Sequence, residues 1–373
     1  MAIQVLQQPA SVSLAGNPII VKAKTTLTGK TFLRIRMSCD VKATRSGEEI
    51  SYSEKYVYEV GSDGLATFNV SDTVRTALER CIVQEVSGTT LTQTMYAASY
   101  TLTYKEVYLY DNVEIEEGEV TSEEYKAILG RYTEFERLTA PNADTSVQLG
   151  SGRILSRKPA GEPLVKGIDL YVPAVSTGSD TISFSVTNAG QKSDYSQYTG
   201  GALVPASLRI DTSSLAAGKT VVSTSDEGGV ERYVVESSPG MRHFLFQNTF
   251  GLIESVTAVM RESLSYDIES NTYSVPQDID FRGTTRVVNY AADPVATFAM
   301  SSGYVSREWA EWWINEFLMT RRAWMLVGGR FLPVAILPDD TVDVLDRSKP
   351  SLLAVNFNVR YSFTGGTYNS FVR

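Results

Sequence analysis

The chain has 373 residues, a formal net charge of −9 and 43% hydrophobic against 21% charged residues. That length exceeds what one hydrophobic core serves, so two or three domains are expected, and the composition excludes a disordered chain. The negative balance, with no clustered Lys/Arg run, argues against phosphate backbones as a partner, so no nucleic acid is expected.

The N-terminal residues 1–17 are polar, with no basic start leading into an apolar run, so no secretory signal is expected. No window approaches the ~18–20 apolar residues of a membrane-spanning helix, and no membrane insertion is expected. Residues 1–118 carry the marks of a β-sandwich. Leu33, Ile35, Met37, Cys39 and Val41 alternate with Arg34, Arg36, Ser38, Asp40 and Lys42. Strands Glu49–Val60 and Leu65–Val70 flank the turn Ser62-Asp63-Gly64, and Tyr96–Tyr110 closes the unit. Between them, Ser71 or Asp72 can cap a helix reaching about Val83. Cys39 falls on the strand row, and Cys81 continues the helical row Val74, Leu78. Buried free thiols fit both positions; a disulfide would need the two elements to pack together.

Residues 119–145 are expected to form an acidic helical linker. Six glutamates lie between Glu114 and Glu124, Thr121 and Glu124 fit a capping box, and Tyr125, Ile128, Leu129, Tyr132 and Leu138 recur at helical spacing up to Pro141. Residues 146–240, rich in Ser, Thr and Gly, suit a second small β domain with strands at Gly167–Val172, Thr181–Val186, Ala206–Asp211 and Gly229–Glu236. Residues 241–373 read as an α+β domain. A strand pair, His243–Arg261, bends at Gly251, and Thr284–Tyr290 is a further strand. Ser306 caps the helix Arg307–Thr320, and strands Ala323–Val327, Arg330–Leu337 and Leu352–Phe363 follow. The fold class is thus mostly β, with one aromatic-rich helix lying on a sheet in the last domain.

The residue types of known chemistry do not converge. The lone histidine, His243, stands between apolar residues with no nucleophile elbow, which suits a hydrogen-bonded strand histidine better than a triad member. Gly29-Lys30-Thr31 and Gly218-Lys219-Thr220 lack the upstream glycine of a phosphate loop, holding Lys24 and Ser213 there, and read as turns. Asp339, Asp340, Asp343 and Asp346 lack the spacing and glycine of a calcium loop and suit a polar hairpin. No acidic pair stands out among 43 Asp and Glu for glycoside hydrolysis. The expectation is a non-enzyme with no catalytic residues, no metal and no cofactor. Aromatics are plentiful, at 20 Tyr, 14 Phe and 4 Trp. On the helix 307–320, Trp309 and Trp313 share a face, while Trp312 points roughly 90° away. Trp312 must therefore reach a second layer or another chain, and Trp312, Trp309 and Trp313 are the candidate subunit-interface residues.

The segment Phe246-Gln247-Asn248-Thr249-Phe250-Gly251 followed by Leu252-Ile253-Glu254-Ser255 resembles a step in virion proteins of tailed phages infecting gut anaerobes. The opening, with a strand, Asn17-Pro18-Ile19-Ile20 and a long alternating strand, is similar to the start of those proteins. The helix-then-sheet ending, 306–363, is similar to domains of tail and baseplate components. The resemblance spans about the first 110 and last 130 residues and carries no catalytic residues. It implies a tail-tip, distal-tail-like or baseplate protein made in the host cytoplasm and built into the virion. Its partners would be copies of itself in a ring and other virion proteins, with a host-surface glycan as a further candidate. An adhesin-like module binding carbohydrate or surfaces is the alternative, and a carboxylate-based polysaccharide hydrolase ranks behind it.

Overall fold

The computed structural model describes residues 3–45, 48–81, 83–87, 90–94, 97–132, 153–175, 181–198, 205–224, 230–235, 240–277, 284–338 and 353–362. The Asp339–Asp346 cluster and residues 133–145 of the expected linker lie outside them, as does the side chain of Cys81.

The first unit contains β1 (Gln4–Gln7), β2 (Val12–Leu14), β3 (Ile20–Lys24), β4 (Thr31–Arg45), β5 (Glu48–Glu59), β6 (Leu65–Asn69), helix α1 (Ser71–Cys81), β7 (Val83–Ser87), β8 (Thr90–Thr94), β9 (Ala98–Tyr110), β10 (Val113–Thr121) and β11 (Tyr125–Ile128). One sheet runs β1-β3-β6; the other runs β2-β11-β9-β4-β5, with β10 also on β9. The alternation of β4 works as its pattern requires. Ile35, Met37, Cys39 and Val41 are buried with Tyr100, Leu102 and Tyr104 of β9 and Val74 and Leu78 of α1. Burial pushes the free Cys39 thiol up to about 12, so it is an inert core group.

The expected helix from Thr121 is not formed at its start: β10 runs to Thr121, and β11 occupies 125–128. The reason is burial. Tyr125 and Ala127 face the sandwich core, and β11 pairs in parallel with β2 and antiparallel with β9. Two ladders and the burial of Tyr125, Ala127 and Ile128 override the helical spacing here.

The second unit is also a two-sheet sandwich. It contains β12 (Arg153–Ile154), β13 (Glu162–Val165), β14 (Leu170–Val175), β15 (Thr181–Asn188), β16 (Gln191–Tyr198), β17 (Pro205–Ile210), β18 (Gly218–Thr224) and β19 (Val230–Val235). Its sheets, β12-β14-β17 and β13-β19-β18-β15-β16, enclose Val172, Ala174, Ile182, Phe184, Val186, Leu208 and Ile210.

In the third unit the sheet closes on itself. It contains β20 (Met241–Gln247), β21 (Ile253–Gln277), β22 (Thr284–Val305), helix α2 (Arg307–Trp312, continued by a π turn Trp313–Phe317), β23 (Ala323–Val327), β24 (Arg330–Pro338) and β25 (Leu353–Tyr361). The order β20-β21-β22-β25-β24-β23 returns to β20, so this barrel has no free edge at its base. Ser306 caps α2, accepting from the Trp309 amide at 3.4 Å. Trp312, Trp313 and Phe317 pack with Phe244, Phe246, Val355, Phe357 and Val359 as one core. His243 sits on β20 with Nδ1 2.9 Å from Thr257 Oγ1 and a pKa lowered by burial to about 4, the hydrogen-bonded strand histidine the sequence suggested.

Candidate functional site: a three-domain joint and a β-arm

The segments that carry the resemblance meet where the three units touch. Asn248-Thr249-Phe250-Gly251 is the turn between β20 and β21. Asn248 holds it from within: its carbonyl accepts from Gly251 N at 2.9 Å, and Oδ1 accepts from Phe250 N at 3.0 Å and Leu252 N at 3.1 Å. Its Nδ2 donates to the Leu155 carbonyl at 2.9 Å, on the chain entering the second sandwich. Thr249 O accepts from Arg131 N at 2.9 Å, at the exit of the first sandwich. Asn17 Oδ1 accepts from Tyr132 N at 2.9 Å on the same side.

Close approach at this turn depends on glycine. Gly251 has φ +78°, and a Cβ there would lie 2.7 Å from Leu129 Cδ2. A Cβ at Gly130 would lie 2.8 Å from the Phe250 Cα. With those side chains missing, Leu14, Ile128, Leu155, Val175, Phe250 and Leu252, drawn from all three units, form a small apolar core.

Around that core lies a network of buried charge. Arg157 stacks over Phe250 at 4.7 Å and bonds Glu316 at 2.6 Å, the Thr249 hydroxyl, and the Arg131 carbonyl at 3.0 Å. Glu316, on the π turn of α2, also accepts from Thr249 N at 2.9 Å. Next to it, the side chain of Lys158 is 1% exposed, 2.8 Å from Glu162 and 3.5 Å from Glu254, and bonded to the Ser255 carbonyl. Glu254 accepts from Ser156 Oγ and, at 3.3 Å, from Asn248 Nδ2. Burial raises the Glu254 pKa, against the opposing pull of Lys158 and Ser156. The cluster therefore holds two cations against three carboxylates, and burial makes Glu254 harder to ionise.

The tryptophans on α2 belong to the same seam. Trp312 and Trp313 are 4% and 2% exposed, so neither offers surface to another chain. Of the two destinations open to Trp312, the structure shows the second layer. Its ring packs edge-on to Phe246 and lies under Lys158 Nζ at 5.3 Å. Half-buried Trp309 donates from Nε1 to the Ala160 carbonyl at 2.9 Å. The wet-looking side of this helix is dry because the segment 158–160 covers it.

The second feature is an arm. β22 pairs with β25 only from Thr297 onward, and beyond that point β21 and β22 pair only with each other among the described residues. The ladder runs from Tyr266↔Ala296 to Gln277↔Thr284, about 40 Å at roughly 3.3 Å per residue. Among the described residues, no strand pairs with either of its outer edges. Tyr266 is 58% exposed, and Leu264 and Thr272 are exposed as well.

No protein-family profile matches the chain, and no curated protein matches it in sequence. Among solved structures it is similar to titin Ig tandem domains A164–A165 (16% identity, 63% of this chain and 98% of that one, TM-score 0.22). It is also similar to a structure described as bearing on host cell surface retention of a 1.5-MDa bacterial ice-binding adhesin (12%, 81% and 92%, TM-score 0.18). A marsupial T cell receptor gives 10% identity, 80% and 96% coverage and a TM-score of 0.19. Scores this low do not establish a shared fold.

Proposed function

We propose that this chain is a structural protein that assembles with copies of itself, of the kind that builds the tail tip or baseplate of a tailed phage. The β-arm carries the reading. A long two-stranded ribbon with both edges open is an element that monomeric proteins normally shorten, twist away or cover, because it templates pairing with another chain. Here it projects from a barrel whose own edges are sealed. The barrel is in turn tied to the second sandwich by buried ion pairs and to the first by the Arg131 N to Thr249 O bond, so the arm has a firm base from which to place a neighbour. The resemblance of Asn17–Ile20 and Phe246–Ser255 to tailed-phage virion proteins gives the particle. Contacts that repeat from one copy to the next close into a ring when the rotation allows it.

The test compares the full chain with a variant in which residues 266–296 are replaced by a two-residue Asn-Gly turn, leaving the barrel pairing intact. Native mass spectrometry and light scattering should show the full chain as an oligomer and the shortened chain as a folded monomer. A full chain that stays monomeric at every concentration, or a shortened chain that still assembles, would end the arm-based reading. A monomer that bound glycans on an array would turn it toward an adhesin-like module.

A further inference from the structure

Beside the joint lies a cleft of about 260 Å³ whose walls come from α1 and the end of β11 in the first sandwich, and from the β20–β21 turn and the chain after α2 in the barrel. Four arginines line it: Arg75, Arg131, Arg321 and Arg322. Among the described residues, two carboxylates share it, Glu79 and Glu316. Glu316 is occupied by Arg157 and Thr249. Glu79 pairs with Arg321 at 3.3 Å, and Arg75 with Asp72 at 2.8 Å just outside. The side chains of Arg131 and Arg322 have no partner among the described residues. Two guanidinium groups with no side-chain partner among the described residues therefore share one concave site on a chain whose net charge is −9.

We propose that this cleft is an oxyanion site, taking a phosphate- or carboxylate-sized group between Arg131 and Arg322. The guanidinium fork is matched to such groups, and its weak hydration makes it the side chain suited to partly enclosed anion contacts. The volume equals about eight or nine waters at their ~30 Å³ share of the liquid, enough for one small anion with part of its hydration shell. An anion there draws residues 130–131, at the exit of the first sandwich, toward residues 319–322, which adds a clasp between the first sandwich and the barrel. The site does not depend on the assembly reading, since every residue in it comes from one chain.

The experiment uses the full chain. Thermal unfolding is followed against inorganic phosphate, and separately against the polycarboxylate tricarballylate, with ionic strength held constant by sodium chloride. The wild type should show a saturable rise in Tm of a few degrees, and Arg131→Gln/Arg322→Gln should show none. Line broadening of the phosphate ³¹P resonance by the wild type, lost in Arg322→Gln alone, gives a reading that does not depend on the double variant folding. The phosphate and tricarballylate arms decide which oxyanion the site favours, and saturation by either supports it. A wild type with no saturable rise and no broadening overturns the site, as does a variant that responds like the wild type.

Discussion

Replacing Lys158 by Met keeps the length and most of the volume of the side chain but removes the ammonium group that bridges Glu162 and Glu254. Those carboxylates have side chains 4% and 2% exposed, so neither can turn to water. Breaking a buried ion pair from one side costs about 3–5 kcal/mol because the remaining charge is uncompensated. Glu254→Gln is the informative partner. Burial already raises the pKa of Glu254, and Ser156 and Asn248 contact its two oxygens. The amide reproduces the shape of a protonated carboxyl and misplaces at most one donor, a cost of about 1 kcal/mol. The two variants should thus differ by at least about 2 kcal/mol, with Lys158→Met the worse. Hydrogen exchange of peptides covering 153–158 and 248–255 reads the local opening free energy without assuming that a multi-domain chain unfolds in one step. The pH dependence adds a second reading. Because the folded-state pKa of Glu254 is raised above 4.5, its contribution is fully present below that value and is lost as pH rises through the folded pKa. Glu254→Gln should abolish that slope. If Glu254→Gln opened the joint as readily as Lys158→Met at neutral pH, the view that burial already disfavours the Glu254 charge would be wrong.

Two further outcomes follow from the same geometry. Gly251→Ala places a Cβ against Leu129 on a residue held at φ +78°, and should destabilise the joint by about 2–3 kcal/mol. Adding Leu129→Ala should return the steric part but not the backbone part, which a double-mutant cycle in urea would separate. His243 has a folded-state pKa lowered to about 4 from 6.5, so the barrel should lose stability as pH falls from 6.5 to 4, by at most about 3 kcal/mol. Urea midpoints of His243→Gln should lack that part of the pH dependence.

Much of the strand layout is legible in the sequence because each element states its own pattern. The row Ile35, Met37, Cys39, Val41 needs no knowledge of its neighbours to declare an inward face, and Ser306 before Trp309 declares a helix start. What fails is whatever depends on a distant partner. Tyr125, Ile128 and Leu129 satisfy a helical spacing as well as a short strand does, and the choice is made by β2 and β9. Trp312 looks exposed on a helical wheel because the residues that cover it lie some 150 positions earlier in the chain. Closure of the last sheet into a barrel is likewise invisible, since it rests on β20 meeting β23. The joint did leave a local trace. Glu254 stands in the run Leu252-Ile253-Glu254-Ser255-Val256 and Glu316 next to Phe317 and Leu318. An acid inside an apolar run must be paired in the fold, which is a signal that composition-level reading passes over.

The charged joint and the arm bear on each other. An arm about 40 Å long can set the position of a neighbour only if its base does not pivot, since a small rotation at the barrel becomes a large displacement at the tip. An apolar seam alone would permit such rotation, because dispersion contacts of similar strength form again after a slide. Buried ion pairs do not permit it. Moving Lys158 by a few ångströms from Glu162 and Glu254, or Arg157 from Glu316, separates cations from carboxylates whose side chains are only 2–4% exposed. On the assembly reading, the network fixes direction more than it adds stability. Lys158→Met should therefore blur the oligomer into a spread of sizes at temperatures where each domain is still folded, whereas shortening the arm should abolish assembly outright. Native mass spectrometry on the two variants distinguishes the outcomes, and a Lys158→Met chain that assembled to a single sharp species would remove the link between joint and arm.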